Sequence, residues 1–227
     1  MIGRISRFIE KYRFRLLLAF TLIFLIIPSF FTGWFFYRFL TFIALTFIFI
    51  QSLFIISEAN KKFPKWIIGL FILVLVFTWF GGIWEENAYY NFFRFVFYFV
   101  FFIFTIISLV KFMNNARKVT LDVVTVAVVI YLLIGLVGGS AAFFFYHLYP
   151  EAYHFTYPGD KVDLLEMTYY GFITMLTVGF GDIVPARPET RTLAYLMAVV
   201  GQLYLAIVIA SIVAKYLSHN KVLREED

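Results

Sequence analysis

Thr177-Val178-Gly179-Phe180-Gly181-Asp182 is the stretch on which the reading of this chain turns. Two glycines alternate with larger residues, so successive carbonyls can all be turned toward one axis. An ordinary L-residue resists the positive-φ backbone this requires, and glycine does not. Four such strands around an axis would stack into cages of oxygen, which can replace the water shell of a dehydrated cation. Upstream lies a short apolar segment, Tyr169 to Leu176, and downstream a long one, Arg191 to Ala210.

The rest of the chain is an apolar setting for that stretch. Of 227 residues 63% are hydrophobic and 22% aromatic, with 32 Phe, more than one soluble core could hide. A bilayer-crossing helix needs about 20 apolar residues. Six runs meet that need, at 16–35, 37–57, 66–84, 89–110, 121–147 and 191–217. Between the last two lies a half-length segment, 163–176, too short to span. The expected fold is an all-α membrane protein with six transmembrane helices and a re-entrant pore helix and filter. Its parts are a cytoplasmic N-terminus (1–15), a four-helix peripheral domain (16–118), a pore domain (119–217) and a cytoplasmic tail (218–227). The first run could be a signal peptide. Pro28, Phe30, Phe31 and Trp34 stand where small cleavage-site residues belong, so it reads as a retained span.

Charge gives the orientation. The formal net charge is +5, but the basic residues are not gathered into one patch for nucleic acid. Arg4, Arg7, Lys11, Arg13 and Arg15 precede the first run, and Lys61, Lys62 and Lys65 follow the second. Lys111, Arg117 and Lys118 follow the fourth, and Lys215, Lys221 and Arg224 follow the sixth. The other connections are poorer, and Glu85-Glu86 makes one acidic. This positive-inside pattern places both termini in the cytoplasm and the loop with the hexamer outside, in a multi-pass protein of the cell membrane. The chain has no cysteine, hence no disulfide and no thiolate metal site.

The hexamer, set between a short helix and a long apolar helix, resembles the signature of tetrameric potassium channels, most often written T-V-G-Y-G-D. Strong similarity covers roughly residues 120 to 217, and the first four runs resemble six-segment bacterial channels in layout only. The resemblance implies a homotetramer in the lipid bilayer, with one filter strand per subunit and potassium as the permeant ligand. It implies no cofactor and no enzymatic activity. The carbonyls of Thr177, Val178, Gly179 and Phe180 would be the ion ligands, and the Thr177 hydroxyl would complete the innermost site. Gly181 lets the strand turn out to the mouth. Asp182 would hydrogen-bond Tyr169 behind the filter, or else act as a rim charge that attracts cations.

Three positions depart from the family pattern. Phe180 replaces the commoner Tyr, so the carbonyl ladder survives but a hydroxyl for lateral bracing is missing. Leu176 stands where many channels have a second Thr, and Ile173 where some carry a carboxylate. These departures predict a filter more prone to slow collapse. They also keep alive a weakly selective monovalent cation channel of the same fold. A potassium transporter subunit is the remaining reading. Such subunits tend to carry four divergent pore loops with single glycines, against one loop with two glycines here.

Around the filter, Tyr157-Pro158-Gly159-Asp160 reads as a turn. Asp163 followed three residues later by Glu166 resembles a capping box at a helix start, a solvated cap more than a conduction element. Gly201 lies mid-span, where the resemblance implies a gating hinge and where close packing is the alternative. Ala206, Ala210 and Ala214 recur every fourth residue and would suit a narrow inner-helix crossing, although alanine is common in membrane helices. Gln202 is polar within the span. Gly135, Gly138 and Gly139 are expected to allow tight packing against the last span.

A voltage sensor needs about three or four charges per subunit, each worth about 2.3 kcal/mol per 100 mV across the field. The fourth run offers Arg94 near one end and Lys111 at the other, and the second has Arg38 at its edge. Little intrinsic voltage sensing is expected. His147, His154 and His219 lack metal-ligand spacing, and no phosphate-binding glycine fingerprint or nucleophile–base pair occurs. Only ten residues follow Leu217, so no attached cytoplasmic ligand-binding domain is expected, and a separate cytoplasmic regulator is left open.

Overall fold

The computed structural model describes residues 2–30, 34–59, 65–80, 87–116, 118–149, 151–156 and 162–225. The helices are α1 (Ile2–Ile26), α2 (Trp34–Ala59), α3 (Trp66–Trp79), α4 (Ala88–Asn115), α5 (Leu121–Leu148), α6 (Leu164–Met175) and α7 (Pro188–Glu225). Two three-residue strands, β1 (Tyr153–Phe155) and β2 (Ile183–Pro185), complete the order, β1 before α6 and β2 before α7. Among the described residues four helices are long and apolar enough to cross a membrane, over Arg38–Ser57, Tyr89–Asn115, Leu121–Leu148 and Pro188–Leu217.

Two of the six expected spans need correction. The run 16–35 is not one helix: α1 starts at Ile2 and stops at Ile26, and Pro28–Phe30 forms a 3-10 turn. Basic side chains do not break a helix, whereas proline lacks the amide and clashes with the preceding turn. The run 66–84 yields a 14-residue helix, about 21 Å long at 1.5 Å per residue against a hydrocarbon core of about 30 Å. The run continues into Gly81-Gly82, poor helix formers, which lie outside the described residues. At the other end, α7 begins at Pro188, a residue suited to the first helical position. It continues past Leu217, so the expected tail 218–227 is helical as far as Glu225. The turn read at Tyr157–Asp160 and the acidic pair Glu85-Glu86 lie outside the described residues, as does Arg117.

Polar side chains inside these apolar helices mostly satisfy themselves. Thr21, Thr46, Thr105, Ser108, Thr125 and Ser211 each donate to the carbonyl four residues back, at 2.7–3.0 Å. A hydroxyl bonded within its own helix can sit in hydrocarbon at small cost. Asn87 caps α4, its Oδ1 accepting from the amides of Tyr89 (2.9 Å) and Tyr90 (3.1 Å), as short polar caps do at helix starts.

The chain divides into two compact units whose boundary runs inside α4 and α5. The first comprises 1–84, 96–115 and 121–130. Its core is aromatic: the Phe49 ring lies 5.1 Å from Tyr98, 5.5 Å from Phe101 and 5.2 Å from Phe102. Thr78 and Tyr98 share a buried hydroxyl hydrogen bond of 2.7 Å. Trp79 Nε1 donates to Thr46 Oγ1 at 3.1 Å. Trp66 and Trp79 are half-exposed at the ends of α3, as interfacial anchors are.

The second unit comprises 85–95, 116–120 and 131–227. Its core is Ala142, Phe143, Ala152, Tyr153, Met167, Tyr170, Ile183 and Met197, drawn from α5, α6, α7 and both strands. Glycines set how closely these helices approach. A Cβ on Gly171 would meet the Gly139 amide nitrogen at 2.8 Å and its Cα at 3.0 Å, and one on Gly139 would meet the Thr168 Cα at 2.5 Å. Gly135 faces the Phe172 ring and Gly138 the Met197 sulfur. The packing expected of the α5 glycines is thus shared out: Gly138 serves α7, while Gly135 and Gly139 serve α6.

Candidate functional site

The loop 176–186 is built from the end of α6. The helix starts on Asp163, whose extended backbone (φ −116°) lets its carboxylate accept from the Glu166 amide at 2.9 Å. It ends at Met175, and the chain folds back on the last turn. Leu176 N donates to Phe172 O (2.9 Å), Thr177 N to Thr174 O (3.0 Å), and both Val178 N (2.9 Å) and Gly179 N (3.2 Å) to Ile173 O. Among the described residues, the start of the hexamer is therefore held by main-chain bonds.

Backbone handedness then alternates. Thr177 has φ 58°, Gly179 53° and Gly181 80°. In an ordinary strand, carbonyls point alternately to opposite sides. Reversing the sign of φ at every second residue rotates every second peptide plane and brings the carbonyls toward a common side. Glycine adopts such angles freely. A β-branched threonine does so only under constraint, at a cost of about 1–3 kcal/mol. The two glycines were readable as positive-φ positions. Thr177 was not, because nothing in its residue type signals that geometry. A Cβ on Gly179 or Gly181 would meet no atom within 4 Å, so conformation and not crowding requires glycine there.

The strand is uncovered in the single chain: Leu176, Val178 and Phe180 are 45%, 49% and 71% exposed. The outer end is pinned at Asp182. Tyr169 Oη donates to Asp182 Oδ2 at 2.5 Å, and Ile183 N to Oδ1 at 3.1 Å. That hydrogen bond pushes the Tyr169 hydroxyl up to about 12 from its ordinary 10.0. Burial, with the nearby charges of Asp163 and Asp182, pushes the Glu166 carboxyl up as well. Asp163, Glu166 and Asp182 thus form one patch of carboxylates close enough to feel one another.

A small sheet that was not read from the sequence completes the outer end. β1 and β2 pair antiparallel, with Tyr153 opposite Pro185, His154 opposite Val184 and Phe155 opposite Ile183. Just beyond β1, Thr156 N donates to Asp182 O at 2.8 Å, and Thr156 Oγ1 lies 3.4 Å from Gly181 O. On the far side Ala186 N and Thr190 Oγ1 both donate to Ala152 O at 3.0 Å. Three-residue strands carry no usable alternation, and pairing through backbone leaves no mark on residue choice.

The other expected positions are placed as follows. Ile173 is buried, its side chain apolar where a carboxylate was noted as absent. Gly201 is buried against the end of α6: a Cβ there would meet Met175 O at 2.5 Å. Close packing is what holds this glycine in the present conformation. Gln202, Ala206, Ala210 and Ala214 are exposed on α7. Arg94 is buried with its guanidinium 4.8 Å from the Phe143 ring and 5.7 Å from that of Tyr90, a cation seated on aromatic faces. Among the described residues no group of three or more His, Cys, Asp or Glu could hold a metal ion.

Residues 119–218 match a family model described as ion channel. No curated protein and no solved structure matches the chain. The matched region contains α5, both strands, α6, the hexamer and the membrane-spanning part of α7.

Proposed function

We propose, on the premise that residues 119–218 resemble ion-channel sequences, that this chain is one of four identical subunits of a potassium-selective channel for passive flux across the cell membrane. The observation that carries the reading is the uncovered, alternately handed backbone at Thr177, Gly179 and Gly181. Backbone of this kind at membrane depth survives only where it is buried in protein or lines a water-filled path. A single chain offers it neither. Four copies around an axis supply both, with the carbonyls of Thr177, Val178, Gly179 and Phe180 facing the ions and the Thr177 hydroxyl at the inner end.

In this reading residues 119–217 form the pore domain, and residues 16–118 form a peripheral domain with little voltage sensing. Six segments cross the bilayer, two of them without the continuous helix expected of a simple span. Both termini are cytoplasmic. α7 lines the pore, Gly201 permits bending once its contact with Met175 is released, and Ala206, Ala210 and Ala214 face neighbouring subunits at the inner mouth. Tyr169, Gly181 and Asp182 support the filter, and the patch around Glu166 raises the cation concentration outside.

Phe180 favours a second reading, a weakly selective monovalent cation channel, because its ring has no hydroxyl to brace the filter from behind. The deciding experiment is the reversal potential of purified protein in a planar bilayer with potassium on one side and sodium on the other. A value near the potassium equilibrium potential is expected. A value near zero selects the second reading. Flux tightly coupled to another ion would replace both with a transporter.

A further inference from the structure

The described residues bring a second support to the Asp182 end of the hexamer, from the segment that precedes α6. β1 lies against β2, and Thr156, directly after β1, donates its amide to the Asp182 carbonyl at 2.8 Å. Its hydroxyl sits 3.4 Å from the carbonyl of Gly181. The strap is anchored at its other end. Ala152 O accepts from Ala186 N and from the buried Thr190 hydroxyl at the start of α7, both at 3.0 Å. β1 is also held from below by Tyr153, buried with its ring 5.1 Å from that of Tyr170 on α6. Asp182 is thereby fixed by three donors of different origin: Tyr169 from α6, Ile183 from β2 and Thr156 from the strap.

We infer that the strap ending at Thr156 is a positioning element for ion conduction, in which the Thr156 amide holds Asp182 and Gly181 so that the outer end of the filter stays open without a hydroxyl on residue 180. The inference rests on the channel reading and deepens it. Lateral bracing of Phe180 from behind is replaced by axial bracing from outside. The strong contact is the amide, since 2.8 Å lies at the short end for N–H···O, while 3.4 Å is long for a hydroxyl. The Thr156 side chain is therefore secondary and its main chain decisive.

The test compares single-channel recordings of Thr156→Pro, which lacks the amide, with Thr156→Ala, which keeps it. Open lifetimes of Thr156→Pro should fall about tenfold and those of Thr156→Ala less than about twofold, each subunit losing one amide bond only in the first. The potassium-to-sodium reversal potential of brief openings should stay unchanged in both. Equal lifetimes in wild type and Thr156→Pro would overturn the inference, as would equal shortening in the two variants. Should Thr156→Pro fail to assemble, amide hydrogen exchange on the wild-type tetramer decides. A strap bonded to the filter predicts that the Thr156 amide exchanges about tenfold faster when sodium replaces potassium, because the ladder loosens when its ion leaves. Exchange at one rate in both salts would overturn it. A wild-type reversal potential near zero would count against the selective reading alone, and the lifetime comparison of the two variants, which does not depend on selectivity, would then decide the inference.

Discussion

The apolar spans of α5, Leu121–Leu148, and of α7, Pro188–Leu217, are alike in length and both long enough to cross a bilayer, yet the chain treats them differently. Half of the most apolar stretch of α5 is buried inside the molecule, against 11% for α7. α5 presents Gly135, Gly138 and Gly139 to α6 and α7, and neighbours fill the space a side chain would take. α7 presents Met197 to Gly138 and Gly201 to Met175, but Val199, Leu203 and Ile207 are 48%, 55% and 62% exposed. Lipid solvates such residues as well as protein does, so the exposed face of α7 alone would not call for partners. The uncovered backbone of the hexamer beside it does. One helix is half covered within its own chain; the other is left largely uncovered, as the proposed tetramer requires.

That contrast can be broken most severely on α7. Leu203→Asp places a carboxylate on the uncovered face, costing about 2.5–3.5 kcal/mol per subunit at mid-span. In a tetramer the cost is incurred four times, so cross-linking should recover monomers and the bilayer should carry no current. Persistence of a conducting tetramer would show that this face looks into water.

The α5 side breaks next. Gly171→Ala pushes α6 off the backbone of Gly139, a contact between main chains that rotamers cannot relieve. Overpacking of this kind costs about 1–3 kcal/mol. Detergent-solubilised protein should unfold at lower temperature whether or not it is assembled. A loss seen only in the assembled state would place this glycine at a subunit boundary.

Smaller effects sharpen the comparison at the filter. Tyr169→Phe removes one hydrogen bond to Asp182 and should shorten open lifetimes several-fold, for about 1 kcal/mol per bond. The sign with pH follows from a hydroxyl raised from 10.0 to about 12. The bond contributes fully below pH 10 and is lost as external pH rises toward 12, so wild-type lifetimes should fall over that window and those of Tyr169→Phe should not. A parallel decline in both would place the titration elsewhere. Phe180→Tyr returns a hydroxyl to the filter and should lengthen openings by a smaller factor. Unchanged lifetimes would mean that the existing braces already suffice.

How much of this could be read from residues depends on who makes the contact. The α6 cap was legible because it is a side-chain bond at fixed spacing, Asp163 to the amide of Glu166. The expected Tyr169 to Asp182 bond is also a side-chain bond, and it is present. The long helices were legible from apolar runs, less their ends: Pro28 was passed over in counting hydropathy, and α3 was credited with residues beyond Trp79. The outer strap was not legible, since Thr156 and Asp182 meet through main chain and stand 26 residues apart in the sequence. Nor was the left-handed Thr177, whose geometry is imposed by the amides on either side. Gly201 shows a third case, in which one residue type fits both a bend and a tight approach and only the position of Met175 shows which is in force here.

The carbonyl of Ile173, which takes two filter amides, carries a consequence for how this molecule can vary. A peptide oxygen belongs to every amino acid, so no ordinary replacement at 173 deletes it. The first half of the hexamer is thus insulated from the identity of the residue that anchors it. Apolar side chains of similar volume can be exchanged there while the anchor stays, and the loss of a carboxylate at that position leaves the ladder standing. Tolerance to mutation is in this sense unevenly distributed between Ile173 and Asp182. It is wide at Ile173, where geometry is held by what all residues share, and narrow at Asp182, where it depends on a side chain that few can replace.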